Sequence, residues 1–261
     1  MKKILNNIVP VFVVLIIMLI IIPLPTFLLD LMLIINISLS FIILFTTMSI
    51  KESLEFSIFP SLLLITTLFR LGLNISSTRL ILLEQGNAGK VVKTFGEFVI
   101  RDSPVVGFVI FIIIVIVQFL VITKGSERVA EVAARFTLDA MPGKQMAIDA
   151  DLSSGLIDEA TARIRRSKVQ READFFGSMD GASKFVKGDA IISIVVAVVN
   201  LIGGTIIGFI ENMGSFTEIL GIFATSTVGD GLVSQLPALL ISTATGMMVT
   251  RSASEENLST D

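Results

Sequence analysis

Five stretches of this chain run for 20 residues or more without a charge, and no other feature restricts the possible folds as strongly. Between Lys3 and Asp30 lie 26 uncharged residues; Leu31–Ile50 adds 20, Ser103–Thr123 adds 21, Ala190–Ile210 adds 21 and Gly231–Thr250 adds 20. As α-helix, about 20 apolar residues cross the hydrocarbon core of a bilayer. The runs are rich in Ile, Leu, Val and Phe and lack the period-2 alternation of a membrane β-barrel. Of the 261 residues, 53% are hydrophobic and only 16% charged. A soluble domain of that size has too little interior to hide so much apolar surface. The sequence therefore predicts an all-α, polytopic membrane helix bundle. The first run is read as a spanning helix, because it is far longer than a signal-peptide core and no small-residue cleavage site follows it.

The order of the runs predicts about six transmembrane helices. Pro23, Pro25 and Asp30 make a tight hairpin between the first two, and "KESLEF" (51–56) is the return loop. Residues 56–83 read as one long helix, expected to be interrupted, with Pro60 near its start and Gly72 in its middle. A polar stretch, 84–102, precedes the fourth span at 103–123. Residues 124–189 hold 11 Lys/Arg and 11 Asp/Glu and read as a folded helical cytoplasmic loop, with helices expected in 126–136 and 154–176. The Pro-Gly turn in "MPGKQ" (141–145) is expected to separate them. The domains are then membrane helices over 1–123, the loop over 124–189, membrane helices over 190–250 and a polar tail over 251–261. The positive-inside rule puts Lys2, Lys3, Lys51, the loop and Arg251 on the cytoplasmic side, with both termini. The outward 70–102 stretch holds five Lys/Arg against three acids; burial of Arg70 and Arg79 in the bundle would ease that conflict.

Several chemistries are excluded by composition. There is no Cys and no His, hence no disulfide, thiolate metal site, zinc hydrolase or His-based triad. "PGKQ" is not a phosphate-binding loop, since position 145 is Gln and position 138 Leu. "DADLSSG" (149–155) is not a calcium loop, because Ser154 and Ala160 stand where Gly and Glu are needed. No enzyme activity, cofactor, metal or nucleic-acid partner is expected. Any proton-handling side chain must be a carboxylate or a lysine.

Charges at membrane depth mark ion or substrate pathways, and the candidates are Arg70, Arg79, Asp189 and Asp230. Asp189 and Asp230 also fit as caps of the helices that follow them, and Arg79 fits as a snorkelling side chain. Arg70, flanked by apolar residues, needs an acid partner, which Asp189 or Asp230 could supply. Asp180 and Lys184, four apart, can pair on one helical face. Lys184 and Asp189 are five apart and diverge on an uninterrupted helix, which Gly188 argues against. In the last run Gln235, Ser242, Thr243 and Thr245 face either other helices or a water-filled path, and Pro237 loosens the backbone ladder beside them.

"RFTLDAMPGKQMAIDADLSSGLIDEATARIRRSKVQREADFFGSMDGASKFVKGDAI" (135–191) closely resembles the signature of the FHIPEP family, large membrane proteins of the flagellar and type III secretion export gate. "LFRLGLNISSTRLIL" (68–82) and "VGDGLVSQLPALLISTATGMMVTR" (228–251) also look like family segments. The resemblance implies a component of the bacterial inner membrane that helps couple proton-motive force to export of unfolded proteins. It implies a homo-oligomeric ring, nonameric in the family, with other export-gate membrane proteins as partners. It maps the Lys and Asp of the family's "SKFV(K/R)GD" run onto Lys184 and Asp189, and the Asp of its "GDGL" run onto Asp230. Asp189 and Asp230 are thus the expected proton-sensitive carboxylates. Their proposed charge partners are Lys184, Lys187, Asp180 and Arg70, and Lys184 is expected to set the pKa of one of them. Family members continue with two further helices and a cytoplasmic domain that docks substrates and chaperones; after Arg251 this sequence has only "SASEENLSTD". It is expected to be a fragment or a truncated product. Whether export serves a flagellum or an injection device is left open. The alternatives are a small ion channel or proton-coupled secondary transporter without protein cargo, and a scaffold whose charges only cap helices.

Overall fold

The computed structural model describes residues 8–22, 24–100, 104–120, 125 and 127–250. Lys2, Lys3, Arg101, Asp102, Arg251 and the polar tail lie outside the described residues, so their expected placement does too. The described chain is helical: α1 Ile8–Ile21, α2 Thr26–Ser49, a 3-10 turn Ser53–Phe56, α3 Phe59–Leu83, α4 Lys90–Ile100, α5 Pro104–Leu120, α6 Glu127–Ser153, α7 Glu159–Ile210 and α8 Phe216–Thr250. Four of these, α2, α3, α7 and α8, are long and apolar enough to cross a membrane. The described parts of α1 and α5 are 14 and 17 residues long.

Helix α3 is continuous through Gly72, contrary to expectation. Gly72 packs on α1, where a Cβ would stand 3.5 Å from the Ile16 carbonyl oxygen, an ordinary contact. Ser76, one turn on, donates to the Leu19 carbonyl of the same helix at 2.9 Å. Pro60 falls in the first turn, where a missing N–H costs nothing. Arg79 is half-buried on α3. Its guanidinium donates to the Ile21 and Ile20 carbonyls at 2.8 and 3.0 Å, a cation at the C-terminal end of α1 where the helix dipole favours it.

The Pro-Gly turn expected in 141–145 is also absent. Helix α6 runs through Pro142 to Ser153; the proline removes one backbone hydrogen bond, and the rest of the ladder and packing against α7 carry the helix across it. The reversal comes at 154–158, where Gly155 has φ +75° and Asp158 caps α7 by accepting from the Thr161 N–H at 2.8 Å. Hydrogen bonds from the Thr161 hydroxyl and, next, its N–H hold the Asp158 carboxyl below its ordinary 3.8. A lowered folded pKa stabilises above the unfolded value and is lost as pH falls through the folded one. Amide protection factors at Thr161 and Ala162, which correct for the intrinsic pH dependence of exchange, are therefore expected to be higher at neutral pH and to fall below about pH 4; Asp158→Ala should show the low values throughout.

Ion pairs staple α6 to α7: Lys144–Glu172 at 2.8 Å, Arg165–Asp151 at 3.1 Å and Arg166–Asp149 at 2.5 Å. Helix α7 then continues unbroken for 52 residues, about 78 Å at 1.5 Å per residue. Gly188 does not interrupt it, and the expected boundary at 189/190 falls inside one helix.

Large apolar side chains line the outside of the bundle as well as its core. Ile34, Phe45, Ile113, Val195 and Ile202 are each exposed, as suits helices surrounded by lipid rather than water. Inside, Leu29, Leu33, Leu73, Ile81, Val92, Ile219 and Phe223 form one core of α2, α3, α4 and α8. A second core joins Ile43, Phe59, Leu63, Phe176, Met179, Ile241 and Ala244.

Short helix α4 sits on this framework. Its first N–H groups, of Lys90 and Val91, donate to the Asp30 carboxylate of α2 at 2.9 Å each. Gly89, at φ +105°, lets that carboxylate approach: a Cβ would lie 2.5 Å from Asp30 Oδ1. Farther along, Gly96 of α4 and Gly229 of α8 face each other, and a side chain on either would meet the other helix's backbone.

Candidate functional site

Asp189 and Asp230 lie well inside α7 and α8, so neither caps a helix. Both are buried, at 3% and 4% exposure, and Arg70 at 1% is, among the described residues, the largest fully buried side chain. Of the two acids that could have met Arg70, the structure selects Asp189. Arg70 Nε donates to Asp189 Oδ2 at 2.8 Å, and Nη2 stands 2.5 Å from the same oxygen without the alignment of a hydrogen bond. Arg70 Nη1 and Asp189 Oδ1 make no hydrogen bond. The pair is thus complete as charge and incomplete as hydrogen bonding.

Lys184 is exposed on α7. It donates to Asp180 Oδ2 at 2.7 Å, as the spacing of four predicted, while the buried cation against Asp189 is Arg70. On the continuous helix, five residues turn the side chain by about 140°, which directs Lys184 away from Asp189. Lys187 is half-buried two residues before Asp189.

Asp230 is held by neutral donors. Ser77 Oγ donates to Oδ1 at 2.5 Å and Asn200 Nδ2 to Oδ2 at 3.3 Å. Among the described residues no Lys or Arg stands within ion-pair range of it. The two carboxylates therefore have contrasting surroundings, one charged and one neutral.

A ladder of neutral side chains, which the sequence does not single out, runs from the Asp189 backbone carbonyl to Ser234. Ser193 Oγ donates to the Asp189 carbonyl at 3.0 Å, Asn74 Nδ2 to Ser193 Oγ at 3.5 Å, and Ser234 Oγ to Asn74 Oδ1 at 2.5 Å. The signal was present as spacing. Arg70, Asn74 and Ser77 follow one face of α3; Asp189, Ser193 and Asn200 follow one face of α7; Asp230 and Ser234 are one turn apart on α8. In α8, Gln235, Ser242 and Thr245 are also buried, while Thr243 is exposed.

The FHIPEP family model matches residues 16–261. The flagellar biosynthesis protein FlhA of Bacillus subtilis is 62% identical over 249 residues, 95% of this chain and 37% of its own length. FlhA of Caulobacter vibrioides is 55% identical over 247 residues, 93% of this chain and 35% of its own. Protein MxiA of Shigella flexneri is 57% identical over 241 residues, 92% and 35% respectively. The chain thus spans just over a third of the length of these relatives, and no solved structure matches it. With the family model covering nearly all of the sequence, and relatives 55–62% identical over more than nine-tenths of it, the chain belongs to the FHIPEP family.

Proposed function

We propose that this chain is the membrane-embedded N-terminal part of a flagellar or type III protein export gate in the bacterial inner membrane, where it helps couple proton-motive force to export of unfolded proteins. Its similarity to FlhA and MxiA supports the export role, and one observation carries the coupling role: a buried Arg70–Asp189 ion pair at the foot of an apolar span, with spare hydrogen-bonding capacity. Charges are retained in such surroundings where their protonation or movement is used. Asp189 and Asp230 are the proton-sensitive groups in this reading. Arg70 holds Asp189, and the Asp180–Lys184 pair with Lys187 marks the cytoplasmic approach. The chain acts without enzymatic chemistry.

The same reading has six spans, both termini cytoplasmic and the α6–α7 hairpin as the cytoplasmic loop. Burial of Arg70 and the binding of Arg79 to α1 support it, since both withdraw positive charge from the outward 70–102 stretch. The partners are further copies in a ring and other export-gate membrane proteins, with substrates and chaperones docking on parts of the relatives beyond the matched region. In the complete gene product, Asp189→Asn is expected to cut export below roughly a tenth of wild type, as when a proton-handling side chain is lost, with Asp189→Glu retaining part. Secreted substrate measured at equal membrane abundance reads this out. Undiminished export in Asp189→Asn would sink the proton role while leaving family membership untouched.

A further inference from the structure

Helix α4 has two faces. Lys90, Lys93, Thr94 and Glu97 fall on one side, and Val91, Val92, Phe95 and Val99 on the other. A short amphipathic helix of this kind lies in the plane of a membrane surface, with its polar side toward the headgroups. The start of α2 sets its depth. Helix α2 has 24 residues, about 36 Å at 1.5 Å per residue, enough to cross a hydrocarbon core of about 30 Å. Thr26 therefore stands at one boundary, and the Asp30 carboxylate one turn on fastens the start of α4 there.

A cavity of about 660 Å³ opens between the two helices at this level. Phe27, Leu31 and Ile34 of α2 line it, spaced i, i+4 and i+7 on one helical face. Phe27 is 78% exposed, and the other two are exposed as well. From Thr26 to Ile34 this apolar wall descends about 12 Å into the membrane. At the boundary the lining is Asn87, Lys90 and Lys93. Among the described residues Lys90 meets no acid within ion-pair range, and Lys93 meets only Glu97, at 3.8 Å on the exposed surface. Asn87 Oδ1 accepts from the Gly89 N–H, which leaves its amide hydrogens to give. Asp30 lines the cavity too, but both of its oxygens are engaged by the first N–H groups of α4. Two lysines against this one carboxylate leave the cavity with a single positive charge in excess.

We propose that this cavity binds one anionic glycerophospholipid, its phosphate at Lys90, Lys93 and Asn87 and an acyl chain along Phe27, Leu31 and Ile34. The lining selects the class of ligand. A free phosphate would satisfy the lysines and leave the apolar wall uncovered. A lipid with an ammonium headgroup would bring a third cation beside two lysines. A phosphodiester whose headgroup carries only hydroxyls matches the one excess charge. The site goes beyond the export role: it requires only that α2 spans the membrane.

The complete gene product is reconstituted in phosphatidylcholine vesicles containing a trace of photoactivatable lipid, either phosphatidylglycerol or phosphatidylcholine with the reactive group in an acyl chain. After illumination, mass spectrometry locates the labelled residues. The phosphatidylglycerol probe is expected to label Phe27, Leu31 or Ile34 at least about fivefold more than the phosphatidylcholine probe, the scale set by one lysine near the surface. At exposed residues of α7 such as Val195 and Ile202 the two probes should label alike. Lys90→Gln/Lys93→Gln keeps the backbone N–H groups that hold Asp30 and should remove that fivefold preference, with labelling at Val195 and Ile202 unchanged as the sign of a folded, inserted chain. Lys90→Arg/Lys93→Arg should retain the preference. Equal labelling of Phe27–Ile34 by the two probes overturns the site, as does a preference that survives the glutamine variant. A wall that neither probe labels, while Val195 and Ile202 are labelled, is covered by protein and overturns it too. None of these outcomes touches Asp189, so the proton role stands or falls separately.

Discussion

Arg70→Leu is expected to destabilise the bundle by about 3–5 kcal/mol, because it leaves the Asp189 carboxylate buried without its counter-charge. Arg70 and Asp189 side chains are each 2% exposed, so solvent cannot take over the missing partner. The double variant Arg70→Leu/Asp189→Leu removes both charges and should recover most of the loss, since a buried ion pair is often replaceable by apolar groups at little cost. Unfolding in detergent–SDS mixtures measures both. Equal destabilisation of the single and double variants would show that Arg70 matters for its packing and not for its charge. Export should separate from stability here: the double variant is expected to fold well and to export as poorly as Asp189→Asn.

Gly229→Val carries the second large effect. A Cβ at Gly229 would meet the Val92 carbonyl oxygen and lie 2.9 Å from the Gly96 nitrogen, and a Cβ at Gly96 would meet the Thr225 carbonyl. These are backbone atoms in helices, which no rotamer change can move aside. Overpacking typically costs about 1–3 kcal/mol and more where the backbone must shift, so about 3 kcal/mol is expected, with α4 displaced from α8. Faster amide exchange across Lys90–Ile100 would report the displacement. Gly221→Ala is the control on the same helix, because a Cβ there meets nothing within 4 Å. It should be neutral or stabilise by up to about 1 kcal/mol through helix propensity.

The class of fold was legible because charge-free runs of 20 residues admit few solutions, and α2 and the apolar parts of α7 and α8 follow from them directly, whereas α3 is legible only by continuing a shorter apolar run past Arg70. Breaks in helices were not. Gly72, Pro142 and Gly188 each looked like a place for the chain to stop, yet all three lie within continuous helices. Propensity is a weak local preference, and packing of α3 on α1 and of α6 on α7 outweighs it. The individual charges of the site could be picked out, since an Arg inside an apolar run is conspicuous. Their pairing was half legible: Arg70 needed an acid, but only the crossing of α3 with α7 decides for Asp189. Asn74, Ser77, Ser193, Asn200 and Ser234 were passed over because small polar residues in spanning helices usually serve packing alone. Their role shows only when three helices bring the faces together.

The unbroken α7 has a mechanical consequence. A helix without a break at Asp189 joins the ion-pair level to the α6–α7 hairpin as a single rod. Glu159 lies 30 residues from Asp189 along it, about 45 Å at 1.5 Å per residue. A tilt of roughly 5° about the ion pair therefore carries the start of the rod through about 4 Å. A hinged connection would absorb such a tilt locally. Here a change of a few tenths of an ångström between Arg70 and Asp189 has a lever arm long enough to reposition whatever rests on the hairpin.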